Sequence, residues 1–108
     1  MFTIDRDTHA ILHTRGDTGD ITLEITVNGS PVNFTAMFSL KKTFESKSYL
    51  LQKELIEGHL RLKHEDTQHL PFGHYRYDIE AHWDDGTEEG GVVTVGPYEY
   101  RLQPDVTV

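Results

Sequence analysis

From Tyr75 to Trp83 the chain alternates without a break. Tyr75, Tyr77, Ile79, Ala81 and Trp83 fall on one side, and Arg76, Asp78, Glu80 and His82 on the other. A period of two belongs to a β-strand with one buried and one solvated face. Beyond it, Asp85-Gly86 supplies the left-handed backbone of a tight hairpin. Ahead of it, Leu70, Gly73 and Tyr75 have the spacing of a tyrosine corner. There the phenol bonds back to nearby backbone as the chain crosses between sheets of a Greek-key sandwich.

The same period recurs upstream. Residues 10–13 form a first short strand, starting at Ala10 or His9, and Arg15-Gly16-Asp17-Thr18-Gly19-Asp20 is a turn cluster. Ile21, Leu23, Ile25 and Val27 then alternate with Thr22, Glu24 and Thr26, and Asn28-Gly29-Ser30-Pro31 turns the chain back as a hairpin. Residues 32–40 place Phe34, Ala36, Phe38 and Leu40 on one face and Thr35, Met37 and Ser39 on the other. Residues 41–48 are a polar connection.

Residues 49–54 and 59–63 are two further strands, with Leu60 and Leu62 inward. A helix across 50–60 competes, because Leu51, Leu55 and Ile56 fit i, i+4 and i+5; Gly58 and the flanking alternation favour strands. Residues 64–69 hold at most one helical turn, started by Asp66-Thr67. The final strands cover 91–95 and 97–102, with Gly96-Pro97 as a bend or bulge between them and Gly90-Gly91 as a bulge at the start. The last residues, 103–108, are either an edge strand or a mobile end.

Seven or eight short strands with regular turn signals and no convincing helix predict an all-β fold: a single-domain, immunoglobulin-like antiparallel β-sandwich over residues 1–108. No linker, low-complexity tract or internal repeat divides it. A chain of 108 residues has room for one core.

Charge and composition narrow the function classes. Eighteen Asp and Glu against ten Lys and Arg give a net charge of −8, which repels phosphate backbones and disfavours nucleic acid. The one basic cluster, Lys41, Lys42 and Lys47, contains Glu45 and reads as a solvated strand end and loop. No stretch approaches the ~20 apolar residues of a membrane span, and the first seven residues lack the basic start and apolar run of a signal peptide. The absence of cysteine excludes disulfides and thiolate metal sites and fits a reducing cytoplasm.

Candidate chemistry is sparse. Of seven histidines, His59, His64, His69 and His74 recur every five residues, which matches neither a helix face nor a strand side. His9 and His13 share a strand side about 13 Å apart, too far for one metal ion. His64, His69 and Glu65 are the group that folding could gather, short of the four ligands a structural zinc wants; no metal and no cofactor is expected. The carboxylate pairs Asp84-Asp85 and Glu88-Glu89 bracket an exposed hairpin tip, where a glycosidase would need them across a cleft. No serine lies in a nucleophile-elbow context and no glycine-rich phosphate loop opens a helix. Arg15-Gly16-Asp17 spells an adhesion tripeptide but is explained by a tight turn.

Two motifs in order carry a resemblance. Arg15-Gly16-Asp17-Thr18 precedes an alternating strand, and Asp66-Thr67-Gln68-His69-Leu70-Pro71-Phe72-Gly73-His74-Tyr75-Arg76-Tyr77-Asp78-Ile79 precedes an acidic Asp-Gly hairpin and a last strand ending in Pro-Asp-Val-Thr. This order resembles the small immunoglobulin-like modules of tailed phages and prophages, in particular the N-terminal domain of siphophage baseplate upper proteins. The resemblance spans about residues 11–107. The baseplate protein carries a further C-terminal part, so the chain is either a stand-alone virion component or a related protein of different role.

The resemblance implies a non-enzymatic virion protein, made in the bacterial cytoplasm and working by assembly in the tail or baseplate. Its partners would be other virion proteins or copies of itself, as a homo-oligomer, with neither nucleic acid nor membrane. Tyr98, Tyr100 and Arg101 of the last strand are the candidate interface, since aromatics and arginine anchor interfaces. Closure of the core by Tyr98 and Tyr100 is the equal alternative. A stand-alone binding module for a carbohydrate or protein ligand is the other functional reading. It needs an exposed Trp83, which the alternation instead predicts to be buried.

Overall fold

The alternation around Tyr77 is realised as a strand of the expected phase, about which the rest of the chain is arranged. The computed structural model describes residues 1–43 and 45–104. Its strands are β1 (Phe2–Ile4), β2 (Ile11–Thr14), β3 (Gly19–Thr22), β4 (Thr26–Val27), β5 (Ser30–Pro31), β6 (Thr35–Lys41), β7 (Leu51–Leu55), β8 (His59–Leu62), β9 (Gly73–Trp83) and β10 (Gly91–Gln103). A single helical turn, α1 (His64–Thr67), stands between β8 and β9.

Six strands form one sheet in the order β1-β2-β10-β9-β6-β7; β3 pairs with β8, and β4 with β5. The sheet is mixed, not wholly antiparallel as expected, because β2 runs parallel to β10 with Ile11 opposite Tyr100. The β3–β8 pair bridges the two edges of the large sheet. A turn with Glu57 and Gly58 at positive φ joins β7 to β8, and β3 meets β1, where the Phe2 ring lies on Gly19 so closely that no Cβ would fit.

One core lies between these layers. Phe38, Leu40, Tyr75, Tyr77, Ile79, Tyr100 and Leu102 from the large sheet meet Ile21, Leu60 and Leu62 from the small one. Burial of such side chains contributes roughly 1.5–3 kcal/mol each. At the corner before β9, the Tyr75 hydroxyl donates to the Pro71 carbonyl, as the Leu70, Gly73, Tyr75 spacing predicts.

Several local expectations need correction. The run from Ile21 to Val27 is not one strand. It breaks after Thr22, where Leu23 N–H turns to the Gly58 carbonyl, and resumes as the β4–β5 hairpin. That hairpin turns through Asn28 and Gly29, both at positive φ, as Asn-Gly requires. Phe2–Ile4 is a strand the pattern did not show, and it exists because β2 offers it an edge. Helix α1 is capped at Lys63 rather than begun at Asp66-Thr67: the Asp66 carboxylate accepts Lys63 N–H at 2.8 Å and pairs with Lys53 at 2.8 Å.

Asp85-Gly86 does not close a tight hairpin. Residues 84–90 form an open loop, and pairing resumes only at Trp83 with Gly91. Gly91 marks no bulge. The Trp83 indole lies across it, so that a Cβ there would sit 2.1 Å from Cε2. Trp83 is accordingly half-buried on its neighbour's backbone instead of buried in the core. The two final strands are one, β10, with the expected bulge between Val95 and Tyr98 and a cis Gly96-Pro97 peptide. The expected edge strand or mobile end divides: β10 runs to Gln103, and residues 105–108 lie outside the described residues, with most of the Pro-Asp-Val-Thr motif.

Candidate interaction surface

The three residues singled out on β10 have three different environments. Tyr100 is 0% exposed. It packs against Tyr75, and its hydroxyl meets His13 Nδ1 at 2.5 Å. It therefore belongs to the core and offers a partner no surface. Tyr98 is half-buried, with the His9 ring stacked on it at 4.9 Å and the Tyr77 ring tilted against it at 5.9 Å. Arg101 is exposed and faces out beside His74. Alternation put Tyr98 and Tyr100 inward; only the tertiary structure separates the degree to which each is covered.

The buried group that sequence reasoning missed is His13, 0% exposed on β2. Its Nε2–H donates to the Asp17 carbonyl at 2.7 Å. A carbonyl can only accept, so Nδ1 carries the lone pair and accepts the Tyr100 O–H. Burial, with the N-terminal ammonium nearby, lowers the imidazole pKa to about 4, and burial pushes Tyr100 well up. Both groups are neutral and mutually satisfied. The signal available in the sequence was the position of His13 on the same side of its strand as Ile11.

The remaining expected chemistry disperses. Among the described residues no three His, Asp or Glu side chains gather as a metal would require. His74 pairs with Glu99 at 2.5 Å and His82 with Glu80 at 2.7 Å, both exposed. The Arg15-Gly16-Asp17 turn is consumed internally: Arg15 donates to the Leu70 carbonyl at 3.1 Å and covers the Phe72 ring, and Asp17 binds the N-terminal ammonium. Lys41 and Lys42 are drawn onto the Tyr49 and Tyr75 rings.

What the fold does build is an outer sheet face that no described element covers. Cross-strand register places its side chains in rows. Thr35 and His82 stand beside Val92; Glu54, Met37, Glu80 and Thr94 form the next row; Gln52, Ser39 and Asp78 the next; Lys41, Arg76 and Glu99 the next, with His74 and Arg101 beyond. Charge is segregated along the strands. Glu54, Asp78 and Glu80 occupy one end, and Lys41, Arg76, His74 and Arg101 the other, with Glu99 among them. At the acidic end a hollow is lined by Met37, Tyr49, Asp78 and His82. Asp78 is half-buried there; burial raises its carboxyl pKa, Lys41 opposes that, and Glu80 adds to it.

A second feature adjoins this face. β2 pairs with β10 only over Tyr100–Gln103, so residues 91–95 have β9 on one side and, among the described residues, nothing on the other. This open edge is free of charged side chains, and Val92 and Val93 on it are 53% and 38% exposed.

No family model, curated protein or solved structure matches the chain.

Proposed function

We propose that the protein is a non-enzymatic assembly component of a phage or prophage particle, in its tail or baseplate, acting through protein–protein contacts with other virion proteins or copies of itself. The observation that carries the reading as an assembly module is the open edge at residues 91–95. Among the described residues its outward backbone groups have no partner, and it presents exposed valines on an edge that natural proteins normally blunt with charge, proline or a covering element. Such an edge accepts a strand from a partner, with main-chain hydrogen bonds giving affinity and alternate side chains giving specificity. The virion setting rests on the resemblance of the two motifs.

The finer fold assignment belongs to the same proposal. The β3–β8 pair against a sheet containing β10, β9, β6 and β7, with β2 alongside β10 and the Tyr75–Pro71 corner before β9, supports an immunoglobulin-like sandwich.

The test is solution mass by light scattering from micromolar to millimolar protein, with amide hydrogen exchange at residues 91–95. Assembly through the edge raises the mass and protects the amides directed away from β9, and Val93→Lys abolishes that protection and lowers the mass reached. A monomer whose edge amides exchange freely at every concentration gives the stand-alone binding module equal weight.

A further inference from the structure

The uncovered face of the large sheet has a polarity that selects its occupant. Along β9, Arg76 and Asp78 are successive outward residues, about 7 Å apart, and neither side chain makes an ion pair among the described residues. Asp78 lies half-buried at the rim of the hollow without a hydrogen-bond partner there. A half-buried carboxylate on which Lys41 acts only from a distance, and to which no cation among the described residues bonds, is best completed by one from outside. Across a line between Arg76 and Asp78 on β9, Arg76 mirrors Asp78 and His74 mirrors Glu80, while on the flanking strands Lys41 mirrors Ser39 and Arg101 mirrors Thr94.

We propose that two copies of the chain pack outer face to outer face about a two-fold axis lying across the strands between Arg76 and Asp78, so that Arg76 of each copy meets Asp78 of the other. This rests on the reading of the protein as an assembly module and names the partner of one of its surfaces. A two-fold contact is self-complementary only where the patch carries both signs, and an axis along the strands would instead set acid over acid. The same half-turn lays the Glu80 row over the His74 row, and Met37 and Tyr49, 38% and 49% exposed, supply apolar area at the acidic end. Four strands by eight residues give a patch of about 19 Å by 27 Å. That is about 1,000 Å² for both copies, the low end of specific interfaces, so the dimer is weak and salt-sensitive.

The experiment uses charge reversal read by light scattering at low and high salt. Arg76→Asp sets carboxylate against carboxylate and Asp78→Arg sets guanidinium against guanidinium, and each weakens the low-salt dimer by about a hundredfold. Mixing the two monomeric variants restores a dimer, because every contact across the axis is then of opposite sign; the same mixture at high salt falls apart. Both positions are surface-facing, and unchanged thermal melts verify that the variants fold. Variants that keep the wild-type mass, or that fail to associate on mixing, overturn the face pairing. Association that Val93→Lys abolishes and the reversals leave intact overturns it while the assembly reading stands. A wild type that is monomeric throughout overturns the face pairing and gives the stand-alone binding module equal weight with assembly.

Discussion

The Tyr100 hydroxyl donates to His13 Nδ1 across 2.5 Å, joining two residues 87 positions apart in a pocket sealed from solvent. Parallel pairing of β2 with β10 puts them there. His13 lies opposite Leu102 and Ile11 opposite Tyr100, so the phenol reaches along its own strand side to the imidazole. With Nε2–H committed to Asp17, a second proton can enter only at Nδ1, where it displaces the bond donated by the Tyr100 hydroxyl.

Stability therefore depends on pH in a defined window. The folded-state pKa of His13 is about 4 and the ordinary value is 6.5, so the unfolded chain binds more protons between them. The contribution is fully present above about pH 6.5 and is lost as pH falls toward 4, a change of about 3 kcal/mol. Urea unfolding at pH 7.5, 5.5 and 4.5 checks it, and His13→Phe flattens the profile across that range.

Tyr100→Phe leaves Nδ1 of a buried imidazole without a donor. The expected loss is about 1–3 kcal/mol at neutral pH, with a smaller fall between pH 6.5 and 4, because the neutral form is no longer favoured by the phenol. Chemical denaturation of this variant beside wild type measures both quantities.

Tyr75→Phe removes the corner bond to the Pro71 carbonyl while keeping the ring against Tyr100. A loss of about 0.5–1.5 kcal/mol is expected. An unchanged unfolding midpoint would assign the corner to ring packing alone.

Gly91→Ala places a methyl where the Trp83 indole now lies, 2.1 Å from Cε2. The ring must lift from β10 into water. Tryptophan emission, which reports on this single residue, shifts to the red, and the unfolding midpoint falls. Emission unchanged from wild type would show that the strand yields instead of the ring.

Asp66→Ala takes away both the acceptor for Lys63 N–H at the start of α1 and the partner of Lys53. Burial raises the Asp66 pKa, but the bonds from Lys53 and Lys63 outweigh it and the net direction is down. The carboxylate thus stabilises above its ordinary range and loses that contribution as pH falls through it. A cost of about 1–2 kcal/mol is expected at pH 7 and little difference from wild type in strong acid; thermal melts at both pH values decide.

The order of sides was legible in the sequence along β6, β8 and β9, where alternation survives in the strand that forms. Tyr75, Tyr77, Ile79 and Ala81 are buried as their phase predicts, as are Ala36, Phe38 and Leu40, and Leu60 with Leu62. Asn28-Gly29 and the Gly96-Pro97 bulge were legible because each demands a backbone that few other sequences adopt. Where the pattern misled, a long-range partner had intervened. Leu23 leaves the strand direction to bond Gly58, and Trp83 leaves the core to lie on Gly91.

The sequence by itself determined an all-β chain, its core-facing side chains and its acidic character, since period-two burial and formal charge are properties of local order. Only the tertiary structure decided that His13 is sealed beneath Tyr100, that among the described residues β10 is left open at 91–95, and that cations and carboxylates segregate on one sheet face. Those facts depend on which strands lie side by side and in what register. Register is fixed by packing across the whole fold, between residues as distant as Ile11 and Tyr100, and no local pattern encodes it.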